Sequence, residues 1–558
     1  MMNQKRLTRR MFLRILALVM LSVTVASCAP STVTVEVTKE VQVKETVIVE
    51  GTPEVVEKVV TATPEPTPEM SGQISILWWH DLKYYEEDPI KYSTQYGPPY
   101  VMLQEWKEAH PGIEVELISH PIDGTEYQWI TTNLIAGTLP DLVMGWPSGD
   151  LEKFLEDPEN QGLVYDMQED MQEPNPYGSA PTWEEEFPLP LSLAQGRIPW
   201  TDSDSAHFIG QYKTGQQGAV VFYYNKDMFS AAGIEEAPAT WADLMDVSEK
   251  LKEAGYTAYY ADGTKACCSI RWCFDWGFDQ LMDPVIQEMA RAINPEKADC
   301  DPTDTSCLRI TDEERSWAVT KGLWRADDPQ YLEMVRLMKE WTPYWNEDWL
   351  APEDLGDGGY WFASRVAIWQ NGVWALNRVI ETEERDFEFG TFAFPEITEE
   401  STEYATGAPI RRHGGLTGGG NGNSFFIPTT TVERGNLPIV LDYLQYITSA
   451  EAHERFCDYQ YPPCVPIGQT VEDVVTDPKE LDRLSGFFNP PMTQEHVVRY
   501  LSWPGASQDA FNRLFIEYAT DRISLEEFGA QLQVEFEREA EKLIAENPGW
   551  DTASWPEP

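Results

Sequence analysis

Three apolar stretches decide the fold: GQISILWW at residues 72–79, IEVEL at 113–117 and DLVM at 141–144. Each has the length of a strand, and the middle one alternates apolar and acidic residues with a period of two. The segments between them carry apolar residues at helical spacing, and they end at Pro111-Gly112 and at Gly137. The order strand–helix–strand–helix–strand predicts an α/β fold with a mostly parallel sheet and helices on both faces.

The same alternation returns later in the chain. AVVFYY at 219–224 is a predicted strand, and Thr240 with Asp243 forms a capping-box pattern at the start of a helix. A second capping-box pattern, at Ser524 and Glu527, begins an amphipathic helix near the C-terminus. The sequence therefore predicts two α/β lobes.

The composition excludes several classes of function. The 558 residues include 41 Lys and Arg against 93 Asp and Glu, which gives a formal net charge of −52. Nucleic acids and anionic lipid headgroups both require clustered basic side chains, so we expect neither as a partner. The 21 tryptophans favour a neutral, ring-shaped ligand, because aromatic faces stack on sugar rings while carboxylates accept hydroxyl hydrogen bonds. The alternative is that most of these tryptophans belong to the hydrophobic core.

Residues 1–28 have the pattern of a lipoprotein signal peptide. Four basic residues lie within 5–10, and the apolar run over 11–25 is short for a membrane-spanning helix and ends in Val25-Ala26-Ser27-Cys28. The segment TRRMFLR at 8–14 resembles a twin-arginine export signal, and the choice between that route and Sec export stays open. The small residues before Cys28 resemble a lipobox, so we expect an exported protein anchored by lipid at Cys28 to the outer face of the cytoplasmic membrane. The alternative is an ordinary secretory signal with an incidental cysteine.

Residues 29–71 have a composition typical of a tether. They are rich in Val, Thr, Glu and Pro and contain no aromatic residue. Their alternating valines are compatible with a strand, but the polar residues between them leave nothing for such a strand to pack against. We therefore expect a disordered tether between the lipid anchor and the folded part.

Seven cysteines remain after Cys28, and they form two evenly spaced pairs and one cluster: Cys300 and Cys307, Cys457 and Cys464, and Cys267, Cys268 and Cys273. The spacing of the two pairs suits small disulfide-closed loops in an oxidising compartment. Two members of the cluster are also able to pair, and which two stays open. No Cys-x-x-Cys pair and no zincin-type histidine spacing occurs in the sequence, so we expect neither a metal site nor another cofactor.

Seven sequence blocks point to one protein family. The most specific is YYNKDMFSAAGI at 223–234, followed by PATWADL at 238–244. The weaker blocks are ILWWH at 76–80, LQEWKEAHPGIEV at 103–115, GTLPDLV at 137–143, QNGVW at 370–374 and SFFIP at 424–428. Taken in the order in which they occur along the chain, these blocks resemble the extracellular solute-binding proteins of carbohydrate ABC transporters (family 1), which are related to maltose-binding protein. The resemblance covers residues 72–558, with longer segments near 83–98, 156–215 and 284–328, and it does not include the cysteines.

The resemblance implies a two-lobed, periplasmic-binding-protein-like α/β fold, with residues 72–218 and 395–450 in the first lobe and 219–394 and 451–558 in the second. It implies that strands cross between the lobes near 218–222 and 389–395, and that the lobes close on the ligand by hinge bending. The implied function is the capture of a sugar or oligosaccharide and its delivery to the permease subunits of an ABC importer. The resemblance implies no enzymatic activity.

The predicted ligand-binding residues follow strand ends, because ligands of open α/β sheets lie at the carboxyl ends of the strands. They are Trp79, His80, Trp146 and Asp150 in the first lobe, Trp276, Asp279, Asn371 and Trp374 in the second, and Gly420 in the glycine-rich stretch 412–423. The resemblance puts Trp374 where related sugar binders carry a stacking tryptophan. For Trp276, packing in the lobe core is an equally good interpretation, and His80 is equally well explained as a capped loop histidine.

Two other classes of protein fit parts of the composition. A secreted glycoside hydrolase is also acidic and tryptophan-rich and uses two carboxylates, but the chain shows no eightfold strand–helix rhythm. A calcium-dependent adhesion module is the second alternative, because DCDPTD at 299–304 has cation-binding side chains. That segment lacks the glycine and the terminal glutamate of an EF-hand loop. The ordered blocks favour solute binding over both.

Overall fold

The computed structural model divides the chain into two units, Met1–Glu69 and Met70–Pro558. In the first unit it describes residues 41–47 and 54–60. In the second unit it describes residues 70–558 except 79–96, 120–125, 145–153, 155–159, 161, 187–205, 208, 211–219, 265–269, 295–296, 298–309, 357, 373–374, 382–384, 409–410, 413–423, 450, 453–454, 456–470, 489–492 and 495–505.

The first unit contains a β-hairpin within the predicted tether. Strand β1 (Val41–Val47) pairs antiparallel with β2 (Glu54–Val60), and the register runs from Val41 opposite Val60 to Val47 opposite Glu54. The prediction of disorder is therefore wrong for these two segments. The reason is that the backbones of two valine-rich segments satisfy each other's hydrogen bonds, so pairing does not require the buried face that the sequence lacks.

The second unit alternates strands and helices. Its strands are β3 Gly72–Trp78, β4 Ile113–Ser119, β5 Leu142–Met144, β6 Ile209–Gly210, β7 Val220–Asn225, β8 Thr257–Tyr259, β9 Val366–Gly372, β10 Phe389–Phe392, β11 Arg411–Arg412, β12 Ser424–Phe426 and β13 Thr493–Gln494. Its α-helices are α1 Gly97–Ala109, α2 Glu126–Ala136, α3 Gln168–Met171, α4 Lys226–Ala231, α5 Trp241–Glu253, α6 Arg271–Leu281, α7 Asp283–Ala292, α8 Asp312–Thr320, α9 Pro329–Trp341, α10 Gly359–Phe362, α11 Leu376–Glu381, α12 Thr430–Glu433, α13 Leu437–Ile447, α14 Val471–Val474, α15 Pro478–Phe488, α16 Ala506–Ala519 and α17 Leu525–Glu546. Short 3₁₀ helices cover Glu184–Glu186 and Thr342–Tyr344.

The first lobe is built on a five-stranded sheet with the order β4-β3-β5-β12-β6. Strand β3 is parallel to β4 and β5, whereas β12 is antiparallel to β5 and β6. Successive residues of β3 enter different cores: Ile76 lies in one with Trp106 of α1, and Leu77 lies in another with Ile130 of α2. Helices thus cover both faces of a mostly parallel sheet, which confirms the α/β prediction.

The second lobe is built on a four-stranded sheet with the order β10-β7-β9-β8. Strands β8 and β9 are parallel, and β7 is antiparallel to its neighbours β9 and β10. One face of the sheet carries Phe222 into a core with Trp341 of α9. The other face carries Tyr223 and Trp369 into a core with Phe487 of α15. This sheet is therefore also covered on both faces.

Most of the described tryptophans belong to these cores. Nine are completely buried: Trp78, Trp106, Trp183, Trp241, Trp276, Trp317, Trp324, Trp341 and Trp361. Replacing such a core tryptophan by alanine typically costs about 3–5 kcal/mol, so these side chains are major sources of stability. The core interpretation is correct for these nine residues, and the number of tryptophans does not locate a ligand site.

Both predicted capping boxes are present. The Asp243 N–H donates to the Thr240 hydroxyl at 3.1 Å, and the Thr240 N–H donates to the Asp243 carboxylate at 2.9 Å. Ser524 and Glu527 make the same reciprocal pair at the start of α17. Each box satisfies N–H groups that have no partner within the helix, so the sequence defines where these two helices begin.

The chain remains with the second lobe beyond the predicted boundary at residue 395. The Glu396 carbonyl accepts from the Trp241 N–H at 2.8 Å. The Gln280 side chain of α6 accepts from the Ile397 N–H at 2.8 Å, and the Gln280 carbonyl accepts from the Thr406 hydroxyl at 2.5 Å. Strand β11 also lies against α6. The boundary at 395 is therefore wrong, because bonds between side chains and backbone hold this segment and leave no periodic pattern in the sequence.

The predicted boundary at residue 451 is also early. Ala452 is buried in the first-lobe core, and the Arg455 guanidinium contacts the Glu105 carboxylate of α1. One apolar contact and one ion pair thus keep the chain with the first lobe for a few residues more than predicted.

The longer segment at 156–215 is docked on the first lobe through polar contacts. The Trp183 indole N–H donates to the Thr448 hydroxyl at 2.8 Å, and the Tyr177 hydroxyl donates to the Asp442 carboxylate at 2.8 Å. Thr448 and Asp442 lie at and within helix α13. The described part of this segment therefore extends the first lobe and does not form a separate domain.

Candidate ligand-binding site

In the first lobe, the ends of three strands and the start of a fourth lie at one edge of the sheet. Leu77 of β3 is level with Val143 of β5, so both parallel strands end at this edge. Strand β12 runs antiparallel to β5 and β6, so its start lies at the edge where they end. Phe425 of β12 pairs with Met144 at the end of β5, and Ser424 pairs with Gly210 at the end of β6. Carboxyl ends of parallel strands are the usual ligand edge of an α/β sheet.

The chain segments that carry the predicted first-lobe residues adjoin this edge in sequence. Five predicted residues lie outside the described residues: Trp79, His80, Trp146, Asp150 and Gly420. The same holds for Trp374, for the predicted lipidation site and for the predicted disulfides: Cys28, Cys300, Cys307, Cys457 and Cys464. All of these stay predictions.

In the second lobe, the corresponding edge is formed by the ends of β8 and β9 and the start of β7. Val220, where the chain enters the sheet, is paired with Gly372 at the end of β9. The Gly372 N–H donates to the Asn371 side-chain oxygen at 2.7 Å, and the Gly372 carbonyl accepts from the Tyr223 hydroxyl at 2.8 Å. The predicted residue Asn371 therefore lies at the ligand edge, with its side chain buried and engaged in shaping the end of the strand.

The structure corrects the ligand role predicted for Trp276. This side chain on α6 is 1% exposed, and its ring packs against Phe222 and Phe394 at centroid distances of 6.3 and 5.5 Å. No face of the indole is open to a sugar ring, so Trp276 is a core residue. Asp279, one turn further along α6, is 2% exposed and is likewise enclosed in the lobe.

The sequence analysis does not predict two residues that lie at the end of β8, Tyr260 and Asp262. The Tyr260 ring is half-buried and lies 4.9 Å from the Tyr360 ring. The Asp262 carboxylate accepts from the Thr264 N–H at 2.9 Å and from the Thr264 hydroxyl at 2.6 Å. An aromatic face and a carboxylate thus stand at the carboxyl end of the strand. The Asp262-Gly263 turn signal marks this strand end in the sequence, whereas the tryptophans further along drew the prediction onto α6.

Cys273 lies beneath the end of β9 as a buried thiol. The Gln370 side-chain amide donates to its sulfur at 3.4 Å, and the Tyr259 hydroxyl lies 3.9 Å from it. Burial raises the pKa of this thiol to about 12, so the sulfur is protonated at neutral pH and is not a nucleophile. Cys273 therefore ties α6 to the sheet. The other two members of the predicted cluster, Cys267 and Cys268, lie outside the described residues.

Two kinds of feature are absent from the described part of the chain. No group of three or more His, Cys, Asp and Glu side chains there has the arrangement of a metal site. No described helix has the combination of length and apolar character that a membrane crossing requires.

Comparisons with known proteins agree with the geometry. The family model described as bacterial extracellular solute-binding protein matches residues 93–454. The sn-glycerol-3-phosphate-binding periplasmic protein UgpB is 42% identical in Shigella flexneri and 41% identical in Escherichia coli K12 over 66 residues. Those residues make up 12% of this chain and 15% of the length of these curated relatives.

Solved structures share the fold across most of the chain. The sugar-binding protein MalE from Xanthomonas citri superimposes with a TM-score of 0.52 at 12% identity over 86% of this chain and the whole of that chain. The apo form of RafE from Streptococcus pneumoniae gives 0.52 at 15% identity over 85% of this chain and the whole of that chain. A chitin oligosaccharide binding protein gives 0.53 at 14% identity over 84% of this chain and 99% of that chain.

The solved structures confirm the two-lobed binding-protein fold. The family match identifies an extracytoplasmic solute-binding protein, a class that is neither the glycoside hydrolase nor the adhesion module. The chain belongs to the bacterial extracellular solute-binding protein family.

Proposed function

We propose that this protein captures a sugar or oligosaccharide between its two lobes and delivers it to the permease subunits of an ABC importer. One observation carries the proposal. Val220, where the chain enters the second lobe, is paired with Gly372 at the ligand edge of the same sheet. A ligand that contacts this edge therefore acts directly on the strand about which the lobes move.

Lobe closure requires a ligand that binds the closed state more tightly than the open state. A ligand that touches one lobe equally in both states shifts no equilibrium, however tightly it binds. The proposed ligand therefore contacts the edge formed by β3 and β5 in the first lobe and the edge formed by β8 and β9 in the second. In the sequence, nine residues separate Gly210 at the end of β6 from Val220 at the start of β7.

The chemistry of the described second-lobe edge favours a neutral polyhydroxylated ligand. Tyr260 supplies a half-buried aromatic ring. The Asp262 carboxylate and the Asn371 amide are polar groups at the strand ends, both buried and hydrogen-bonded to Thr264 and Gly372. The net charge of −52 disfavours an anion over the whole surface. Proteins of the same fold include RafE in complex with raffinose and a chitin oligosaccharide binding protein.

The residues proposed to contact the sugar are those at the strand ends. Trp374 stacks on a ring face, and the remaining contacts come from Trp79, His80, Trp146, Asp150 and Gly420, together with Tyr260 and Asp262. The stack contributes about 1–3 kcal/mol, comparable to the burial of a large apolar side chain. Asn371 shapes the strand end from which Trp374 follows.

A second candidate ligand is sn-glycerol 3-phosphate. It is favoured by the short segment of 41–42% identity to UgpB. Binding a phosphate requires several N–H donors or cations directed at its oxygens. The described residues at the ends of β8 and β9 include no Lys or Arg, which is why the neutral sugar is the first candidate.

Isothermal titration calorimetry of the purified exported protein separates these candidates. The ligands are raffinose, chitin oligosaccharides, xylan oligosaccharides and sn-glycerol 3-phosphate. We expect saturable binding of at least one neutral sugar and none of the phosphate. Binding of the phosphate alone replaces the first candidate by the second, and binding of none of these ligands contradicts the proposal.

We also propose that lipid at Cys28 anchors the protein to the outer face of the cytoplasmic membrane. Two or more acyl chains give stable anchoring, whereas a single chain does not. In membrane fractions, the Cys28→Ser variant is expected as unprocessed precursor or as released protein. Mature, membrane-anchored protein in that variant contradicts the anchor and leaves the ligand proposal unaffected.

A further inference from the structure

The hydroxyl of Tyr223 reaches the end of the neighbouring strand. In the register of β7 and β9, Tyr223 lies opposite Trp369. Its hydroxyl nevertheless donates to the carbonyl of Gly372, three residues further along β9, at 2.8 Å. The side chain therefore lies along the strand and points toward the ligand edge.

The ring of Tyr223 is fixed by its neighbours. It is completely buried, with Trp369, Trp361 and Phe487 at centroid distances of 5.4, 6.1 and 6.0 Å. A ring held on three sides has one available rotamer, so its hydroxyl is a fixed donor. The ring of Tyr223 makes the packing contacts, and its hydroxyl makes the hydrogen bond to Gly372.

The other two polar residues of the YYN block have different structural roles. The Tyr224 ring packs on Phe229 at 4.6 Å. The Asn225 side chain accepts from the N–H groups of Asp227 and Met228, each at 3.0 Å, and so caps helix α4. Tyr224 meets β9 through its backbone, opposite Ile368 and away from the end of the strand. The side-chain bond from this block to the end of β9 is the one made by Tyr223.

We propose that Tyr223 is a positioning residue, whose hydroxyl fixes the backbone at Gly372, the last residue of β9, and thereby supports ligand binding by Trp374. Gly372 is held from both sides, by this bond on its carbonyl and by the Asn371 side chain on its N–H. Trp374 follows two residues later. Tyr223 lies on β7, the strand by which the chain enters the second lobe. Its bond therefore joins that strand to the end of β9, two residues before the proposed stacking residue Trp374. This inference rests on the proposed function for its consequence, but not for its geometry.

The test compares Tyr223→Phe with Tyr443→Phe. Tyr443 is a completely buried tyrosine of the first lobe whose hydroxyl makes no hydrogen bond to the described residues. Both variants remove one buried hydroxyl and keep the aromatic ring, so both show what the loss of a buried hydroxyl does to the packing around the ring. Only Tyr223→Phe removes a bond to the ligand edge.

Hydrogen–deuterium exchange of the ligand-free protein measures the geometry directly. In Tyr223→Phe we expect the amides of residues 372–376 to exchange about tenfold faster, which corresponds to the loss of one hydrogen bond. In Tyr443→Phe we expect their exchange to be unchanged. Unchanged exchange at 372–376 in Tyr223→Phe overturns the inference, whether or not any sugar binds.

Calorimetry with the sugars named above then measures the consequence. Tyr223→Phe is expected to raise Kd about 3- to 30-fold, and Tyr443→Phe to leave it within a factor of two. In a cycle with Trp374→Ala, the two effects are expected to be non-additive, because Tyr223 acts through Trp374. Additive effects overturn the inference. If the wild-type protein binds none of the sugars, the proposed function fails and the exchange result alone decides the role of Tyr223.

Discussion

The first-lobe core around Trp106 and Trp183 differs from the second-lobe core around Trp241 and Trp276 in the hydrogen bonding of the indole N–H groups. In the first lobe, the indole N–H groups of Trp106 and Trp183 donate to Asp442 and Thr448, each at 2.8 Å. In the second lobe, the indole N–H groups of Trp241 and Trp276 have no acceptor among the described residues. Trp106 and Trp183 join chain segments through directional bonds, whereas Trp241 and Trp276 fill an apolar core by shape. Other second-lobe tryptophans also make such bonds: the indole N–H groups of Trp317 and Trp341 donate to Pro556 and Ser248 at 2.9 and 3.0 Å.

This difference shows what Trp241 and Trp276 contribute to the stability of the second lobe. A buried N–H without an acceptor costs about 1–3 kcal/mol, so Trp241 and Trp276 are retained for the apolar area that they bury. Trp276 makes edge-type contacts with Phe222, and Phe222 stacks on Phe392 at 5.0 Å. An aromatic core of this kind accounts for many tryptophans through packing, without any role in ligand binding.

The largest effect is expected for Trp276→Ala. Because the side chain is 1% exposed and enclosed by aromatic rings, its removal leaves a cavity and lowers the free energy of unfolding by about 3–5 kcal/mol. Urea unfolding followed by circular dichroism measures the loss. The folded fraction should bind sugar with unchanged affinity. A stable variant with weakened binding contradicts the core assignment.

A smaller effect is expected for Asp442→Ala in the first lobe. This change removes the acceptor of the Trp106 indole and of the Tyr177 hydroxyl, each at 2.8 Å, and should cost about 1.5–3 kcal/mol because both bonds are made to a carboxylate. Burial, followed by the bond to Asp442, raises the pKa of Tyr177, so this hydroxyl is protonated and acts as a donor at neutral pH.

The matched control for this variant is Asp482→Ala, which also removes one carboxylate. Asp482 pairs with Lys226 at the surface and has a side chain that is 65% exposed. Exposed ion pairs contribute about 0–1 kcal/mol, so this variant should unfold close to the wild-type urea midpoint. Equal losses in the two variants contradict the account of the first lobe.

The smallest effect is expected at a helix start. Thr240→Ala removes the capping box of α5 and should cost about 1 kcal/mol. The hydrogen bonds from Thr240 lower the pKa of Asp243 below its ordinary value of 3.8. This contribution is therefore fully present above that value and is lost as the pH falls through the lowered folded pKa. Urea unfolding of the variant from pH 7 downwards should give a constant difference from wild type until the pH is below 3.8.

Local chemistry predicts much of this fold. The strands β3, β4, β5 and β7 follow from short apolar runs, and the helix starts at Thr240 and Ser524 follow from side chains three residues apart. These features depend on neighbours in the sequence. The prediction of two lobes is correct for the same reason, because the strand–helix alternation repeats.

Apart from the hairpin within the predicted tether, the errors concern contacts between distant residues. Every residue of α6 from Trp272 to Leu281 is buried, so the helix has no polar face that distinguishes a core tryptophan from a ligand-binding one. The boundary at 395 fails because Gln280 holds a segment more than one hundred residues away. The bond from Tyr223 to Gly372 spans 149 residues, and no spacing in the sequence indicates it.

The central claim is that ligand recognition depends on a tryptophan at a strand end and not on the tryptophans of the core. The most direct test measures the sugar Kd and the melting temperature of Trp374→Ala beside those of Trp276→Ala. The account predicts that Trp374→Ala weakens binding by about 5- to 150-fold, equivalent to about 1–3 kcal/mol, and melts close to wild type. A sharp fall in the melting temperature of Trp374→Ala, with unchanged affinity in the molecules that remain folded, would contradict it.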